Sequence, residues 1–113
     1  MVTEVDDFSS LVSGMRRRPG TVFVVYFFSR SCVPCMGIMT PFIETLASRY
    51  GSRVVFIKCN VATCQHYDNY IPITAVPTVV IFENAQPIKT FVGTSNAALR
   101  DLENTIQYYA AGN

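Results

Sequence analysis

Two cysteines separated by two residues, in the run Cys32-Val33-Pro34-Cys35, are the side chains whose type and spacing point most directly to chemistry. Pro34 suits the first turn of a helix, where a missing backbone N–H costs nothing. Cys32 then stands at the helix N-terminus, among unpaired N–H groups and the positive end of the helix dipole, which favours thiolate over thiol. Cys35 falls on the same helix face at a Cβ separation of about 5–6 Å, within reach of a disulfide after modest adjustment. Two other readings fit the same residues: a pair of small core side chains, or half of a zinc site. Structural zinc takes four ligands, and the other two cysteines, Cys59 and Cys64, are separated from the first pair by a full helix and strand. No metal set is read, and thiol redox chemistry is the favoured reading.

The elements around the pair are legible from periodicity. Phe8, Leu11, Val12 and Met15 form a helical stripe that Pro19-Gly20 stops. Thr21 to Phe28 is apolar and β-branched or aromatic without polar alternation, the pattern of a central strand buried on both faces. A second helical stripe runs through Cys35, Ile38, Met39, Phe42, Leu46 and Tyr50 to Gly51, with Pro41 kinking it. Val54 to Cys59 is a further buried strand, and Ala62 to Tyr70 a short helical stretch ended by Ile71-Pro72. Thr78 to Phe82 and Ile88 to Val92 flank a hairpin connection over 83–87. Ser95 caps a last helix carrying Leu99, Leu102, Ile106 and Tyr109 in one stripe, and residues 2–5 add a short edge strand. Strands alternating with helices and closing on a hairpin and helix give an α/β fold, a three-layer α/β/α arrangement on a central mixed sheet.

Length and composition bound the rest. The 113 residues suit a single domain, 1–113, and a chain that is 50% apolar and 15% charged builds a packed core. A formal net charge of +1 supplies no field for phosphate backbones, so no nucleic-acid partner is expected, and Arg16, Arg17 and Arg18 read as a solvated helix end. The first residues are acidic where an export signal is basic. An intracellular, reducing, cytoplasmic setting is expected, where structural disulfides are rare. Val22 to Phe28 is far short of the roughly 20 residues of a membrane span, so no membrane partner is expected.

The chain resembles the thioredoxin family over nearly its full length. The resemblance rests on Val24-Val25-Tyr26-Phe27-Phe28 before Cys32-Val33-Pro34-Cys35, Pro41 in the next helix, Val55-Phe56-Ile57-Lys58, Val76-Pro77-Thr78, and Val92-Gly93 before the last helix. It implies the thioredoxin fold and a protein dithiol–disulfide oxidoreductase in which Cys32 attacks and Cys35 resolves. It also implies a cis Val76-Pro77 peptide facing the pair, although the residues alone equally allow a trans proline at a strand start. Val33, Pro34, Val76, Pro77 and Gly93 become the substrate-binding rim, with the Val76 backbone pairing to an extended segment of a disulfide-containing protein. No bound cofactor is implied: the Cys32–Cys35 disulfide is the redox group, re-reduced by a thioredoxin-reductase-like partner, a dithiol or a small thiol, and a monomer is expected.

The departures from that family fall around the same site. Tryptophan is absent; Ser31 and Phe28 stand where the family places it, and Val33 replaces a glycine. One extra residue separates Cys35 from Pro41, which displaces the kink or a helical bulge. Tyr26 replaces the buried acid that manages the second thiol's proton, and a tyrosine of pKa about 10 is a poor base. Deprotonation of Cys35 then falls to water, to the retained Lys58 or to the departing thiolate. Cys64-Gln65 resembles an accessory-cysteine region, so Cys59 and Cys64 are candidates for a regulatory oxidation, against the alternative of small buried hydrophobes. His66 and the Tyr108-Tyr109 pair are given no role. The competing functional class is a non-catalytic or redox-regulated thioredoxin-like interaction module with a vestigial pair.

Overall fold

The computed structural model describes residues 1–113. Five strands form one sheet in the order β1-β3-β2-β4-β5. Their ranges are β1 Thr3–Glu4, β2 Val22–Phe28, β3 Val55–Asn60, β4 Thr78–Glu83 and β5 Gln86–Val92. β1 and β2 each pair parallel to β3, whereas β4 pairs antiparallel with β2 and β5, so the sheet is mixed. Every residue of β2 is buried, as its unbroken apolar run requires of a central strand.

Alternate β2 side chains supply the two halves of the core. Val22, Val24, Tyr26 and Phe28 pack with helices α2 (Thr40–Tyr50) and α3 (Asn96–Ala110). Phe23, Val25 and Phe27 pack on the opposite face with α1 (Phe8–Arg16). Three layers result, α/β/α. Asp7 and Ser95 cap α1 and α3 by accepting the N–H groups of Ser9 and Ala98.

Three expectations are corrected. Ala62 to Tyr70 is not helical beyond one short 3-10 turn at Tyr67–Asn69. Gln65 instead donates its N–H to Asp6 and accepts from Phe8, each at 2.8 Å, and His66 adopts the left-handed conformation (φ 69°). The hairpin connection is only Asn84-Ala85, both with positive φ, so Gln86 and Pro87 belong to β5; as an edge strand β5 accommodates a proline. A bulge then leaves Ile88 between the Phe82–Pro87 and Ile81–Lys89 pairs. Finally, the second helix does not keep one 3.6-residue stripe. Cys35–Met39 is a π-helical turn, closed by the Thr40 N–H on the Cys35 carbonyl. Cys35, Met39, Ile43, Leu46 and Ala47 face inward while Ile38 is turned out to solvent.

Candidate active site

The end of β2 delivers the chain to a turn at Ser29-Arg30-Ser31, where the Cys32 N–H returns to the Ser29 carbonyl at 3.1 Å. The helix starts immediately after it, with the Met36 N–H on the Cys32 carbonyl at 3.1 Å. Cys32 and Cys35 are joined as a disulfide with Cα atoms 5.2 Å apart. Cys32 is half-buried and Cys35 has no exposed surface, so an incoming group reaches Cys32 first. The Cys35 N–H points at Cys32 Sγ from 3.2 Å. An N–H donor at a helix start stabilises negative charge on that sulfur, which lowers the cost of the thiolate.

Val76-Pro77 is cis, and the Val76 carbonyl oxygen lies 3.7 Å from Cys32 Sγ. Gly93, at φ 84°, donates its N–H to the Pro77 carbonyl at 2.9 Å; that conformation favours glycine. The structure thus brings Val76 to Cys32 and ties Gly93 to the adjoining Pro77. Val33, 81% exposed, and Val92, 58% exposed, add apolar surface beside Cys32 and Gly93 in the chain.

Beneath the pair, Tyr26 is 1% exposed. Its hydroxyl donates to the Cys35 carbonyl at 2.9 Å and meets the Thr40 hydroxyl at 3.0 Å. Burial pushes its pKa up, partly opposed by the Thr40 hydrogen bond, so Tyr26 stays neutral across the physiological range. Lys58 is its direct neighbour across β2 and β3 and carries its amine 5.9 Å from the centre of the Phe28 ring. Tyr26, Thr40, Ile43, Glu44, Lys58 and Val2 line a seam too narrow to hold a water molecule. Thr40 was missed by sequence reasoning. Its only signal was its position just before Pro41, in a spacer one residue longer than the family's.

Cys59 and Cys64 lie on the other side of the sheet, buried in the layer of α1, and are unpaired. The four cysteines therefore do not converge on one metal. Burial pushes both thiols up. His66 faces Asp7 at 3.1 Å, on the α1 side.

The thioredoxin family model matches residues 1–107. The chain belongs to the thioredoxin family. It is 32% identical to thioredoxin 1 of Plasmodium falciparum over 111 residues, covering 98% of this chain and 97% of that protein. The bifunctional thioredoxin reductase/thioredoxin of Mycobacterium leprae is 28% identical over 107 residues, 93% of this chain and 22% of that protein. Among solved structures, Malassezia sympodialis thioredoxin superposes with a TM-score of 0.84 at 25% identity, covering 97% of this chain and 91% of that one. The redox-active thioredoxin pair, Cys32 and Cys35, is present with its cis-proline neighbour. Such a pair makes the chain a dithiol–disulfide oxidoreductase, and it performs thiol–disulfide exchange without a prosthetic group.

Proposed function

We propose that the protein reduces disulfides of other proteins, drawing electrons from a thioredoxin-reductase-like partner or a small thiol or dithiol. The observation that carries this reading is the environment of Cys32 Sγ, with the Cys35 N–H at 3.2 Å and the Val76 carbonyl at 3.7 Å. The first stabilises a thiolate; the second lies where an extended substrate strand finds backbone partners. In the reduced protein the Cys32 thiolate attacks a substrate disulfide, forming the mixed disulfide and expelling one substrate thiolate. Cys35 sulfur then attacks Cys32 sulfur. The Cys32–substrate bond breaks, Cys32–Cys35 forms, and the Cys35 proton leaves with the second substrate thiol. Two electrons have passed from the pair to the substrate.

An external reductase as donor is supported by the Mycobacterium leprae relative, whose name joins a thioredoxin to a reductase. The site is complete within one chain, which supports a monomer. Unpaired Cys59 and Cys64 fit a reducing, cytoplasmic compartment. The test is dithiothreitol-driven reduction of insulin disulfides. Wild type is expected to accelerate it, and Cys32→Ser to fall to the rate of dithiothreitol alone. Equal rates for the two would favour a non-catalytic interaction module instead.

A further inference from the structure

We propose that Tyr26 and Thr40 are positioning residues, a neutral hydroxyl relay that locks the π-turn and so holds Cys35 in line to resolve the mixed disulfide. This rests on the exchange reaction proposed above. Three observations carry it.

The first is the turn itself. A wide turn is uncommon inside a helix and tends to occur where function demands it. Here it spans Cys35–Met39 and is closed by a Thr40 N–H to Cys35 carbonyl bond. Pro41 contributes no N–H to the turn that follows, so the ladder is short of a donor just where it is widest.

The second is the direction of the hydrogen bonds. A tyrosine hydroxyl has one proton. That proton goes to the Cys35 carbonyl at 2.9 Å, so at the 3.0 Å contact the Thr40 hydroxyl is the donor to Tyr26, in preference to the weaker Met36 sulfur acceptor 3.9 Å away. Thr40 therefore binds the Cys35 end of the turn twice, directly through its N–H and indirectly through Tyr26. Tyr26 is 1% exposed, so water does not take the place of its hydroxyl on the Cys35 carbonyl.

The third is what the Cys35 peptide does at its other end. Its N–H is aimed at Cys32 Sγ from 3.2 Å. Fixing the carbonyl side fixes the approach of the Cys35 side chain to the sulfur it must attack. Sulfur–sulfur displacement is demanding in geometry, and misplacement of a reacting group is costly in rate. An ionised acid at position 26 could take the Cys35 proton; a buried neutral tyrosine whose hydroxyl is committed to a carbonyl cannot.

Stopped-flow release of the coloured thiolate from dithiobis(nitrobenzoate) by the reduced protein separates the two steps, Cys32 attack first and Cys35 resolution second. For Tyr26→Phe the second phase is expected to slow by about tenfold while the first stays within about twofold. Thr40→Val is expected to match it, Thr40→Ser to restore most of the rate, and Tyr26→Phe with Thr40→Val to be no slower than either alone, because the hydroxyls act as one unit. The pH dependence of the second phase is expected to keep its midpoint in Tyr26→Phe, since no titrating base is lost. A second phase of wild-type rate in Tyr26→Phe, an additive loss in the double variant, or a shifted midpoint would overturn the proposal. Absence of the first phase in wild type would instead refute the exchange reaction on which it rests.

Discussion

The Cys35 peptide is held at both ends, its N–H by Cys32 sulfur and its carbonyl by the Tyr26 hydroxyl and the Thr40 N–H. By contrast, Cys59 and Cys64 meet each other in the buried layer under α1, where burial, ahead of the charge of Glu4, raises both thiol pKa values. Thiolate is the reactive form. In the reduced native protein near neutral pH, iodoacetamide followed by peptide mapping is therefore expected to label Cys32 at least about a hundredfold faster than Cys59 or Cys64, and denaturant to remove the difference. Comparable native rates would reopen a role for the second pair in oxidation. The first pair was legible in the sequence because its environment comes from local signals: a buried strand, a polar break, a proline in the first turn. Thr40 was not, because its meaning depends on a hydroxyl contact with Tyr26 across 14 positions of chain, which no local pattern records.

At the scale of elements, α1 shows how a terminus is held. Asp7 accepts from Ser9 N–H at 3.0 Å and Ser9 hydroxyl at 2.6 Å, and faces His66 Nδ1 at 3.1 Å. The Ser9 hydroxyl, then His66, bring its pKa from 3.8 down to about 2. A carboxyl whose pKa is lower folded than unfolded contributes stability in full above its unfolded value, and that contribution is lost as pH falls through the folded one. Asp7→Ala is thus expected to lower Tm by a few degrees at neutral pH, with the gap from wild type closing as pH drops from about 4 toward 2. A gap independent of pH would contradict this cap. Helix α1 was readable because it obeys one period. The helix after Cys32 was readable only in part, since a π-turn breaks the period and turns Ile38 out. The hairpin was blurred for a different reason: Asn84-Ala85 makes the tight turn without the glycine that signals one.

For the whole molecule, the sheet separates two kinds of sulfur. The face packed by α2 and α3 carries Cys32 and Cys35 beside the cis Val76-Pro77 loop, and the face packed by α1 encloses Cys59 and Cys64. The layers and the central place of β2 followed from its unbroken apolar run, because only a strand covered on both faces tolerates one. The convergence of residues 32–35, 76–77 and 93 depends on strand order, which periodicity does not encode; there the family resemblance supplied what the local patterns lacked. The central claim is that Cys32 alone forms the bond to substrate and Cys35 alone breaks it. Its most direct test is to incubate reduced Cys35→Ser protein with a disulfide-bonded peptide and map the adduct by mass spectrometry. A persistent mixed disulfide on Cys32, released in wild type, is the expected result; no adduct, or one on Cys59 or Cys64, would contradict it.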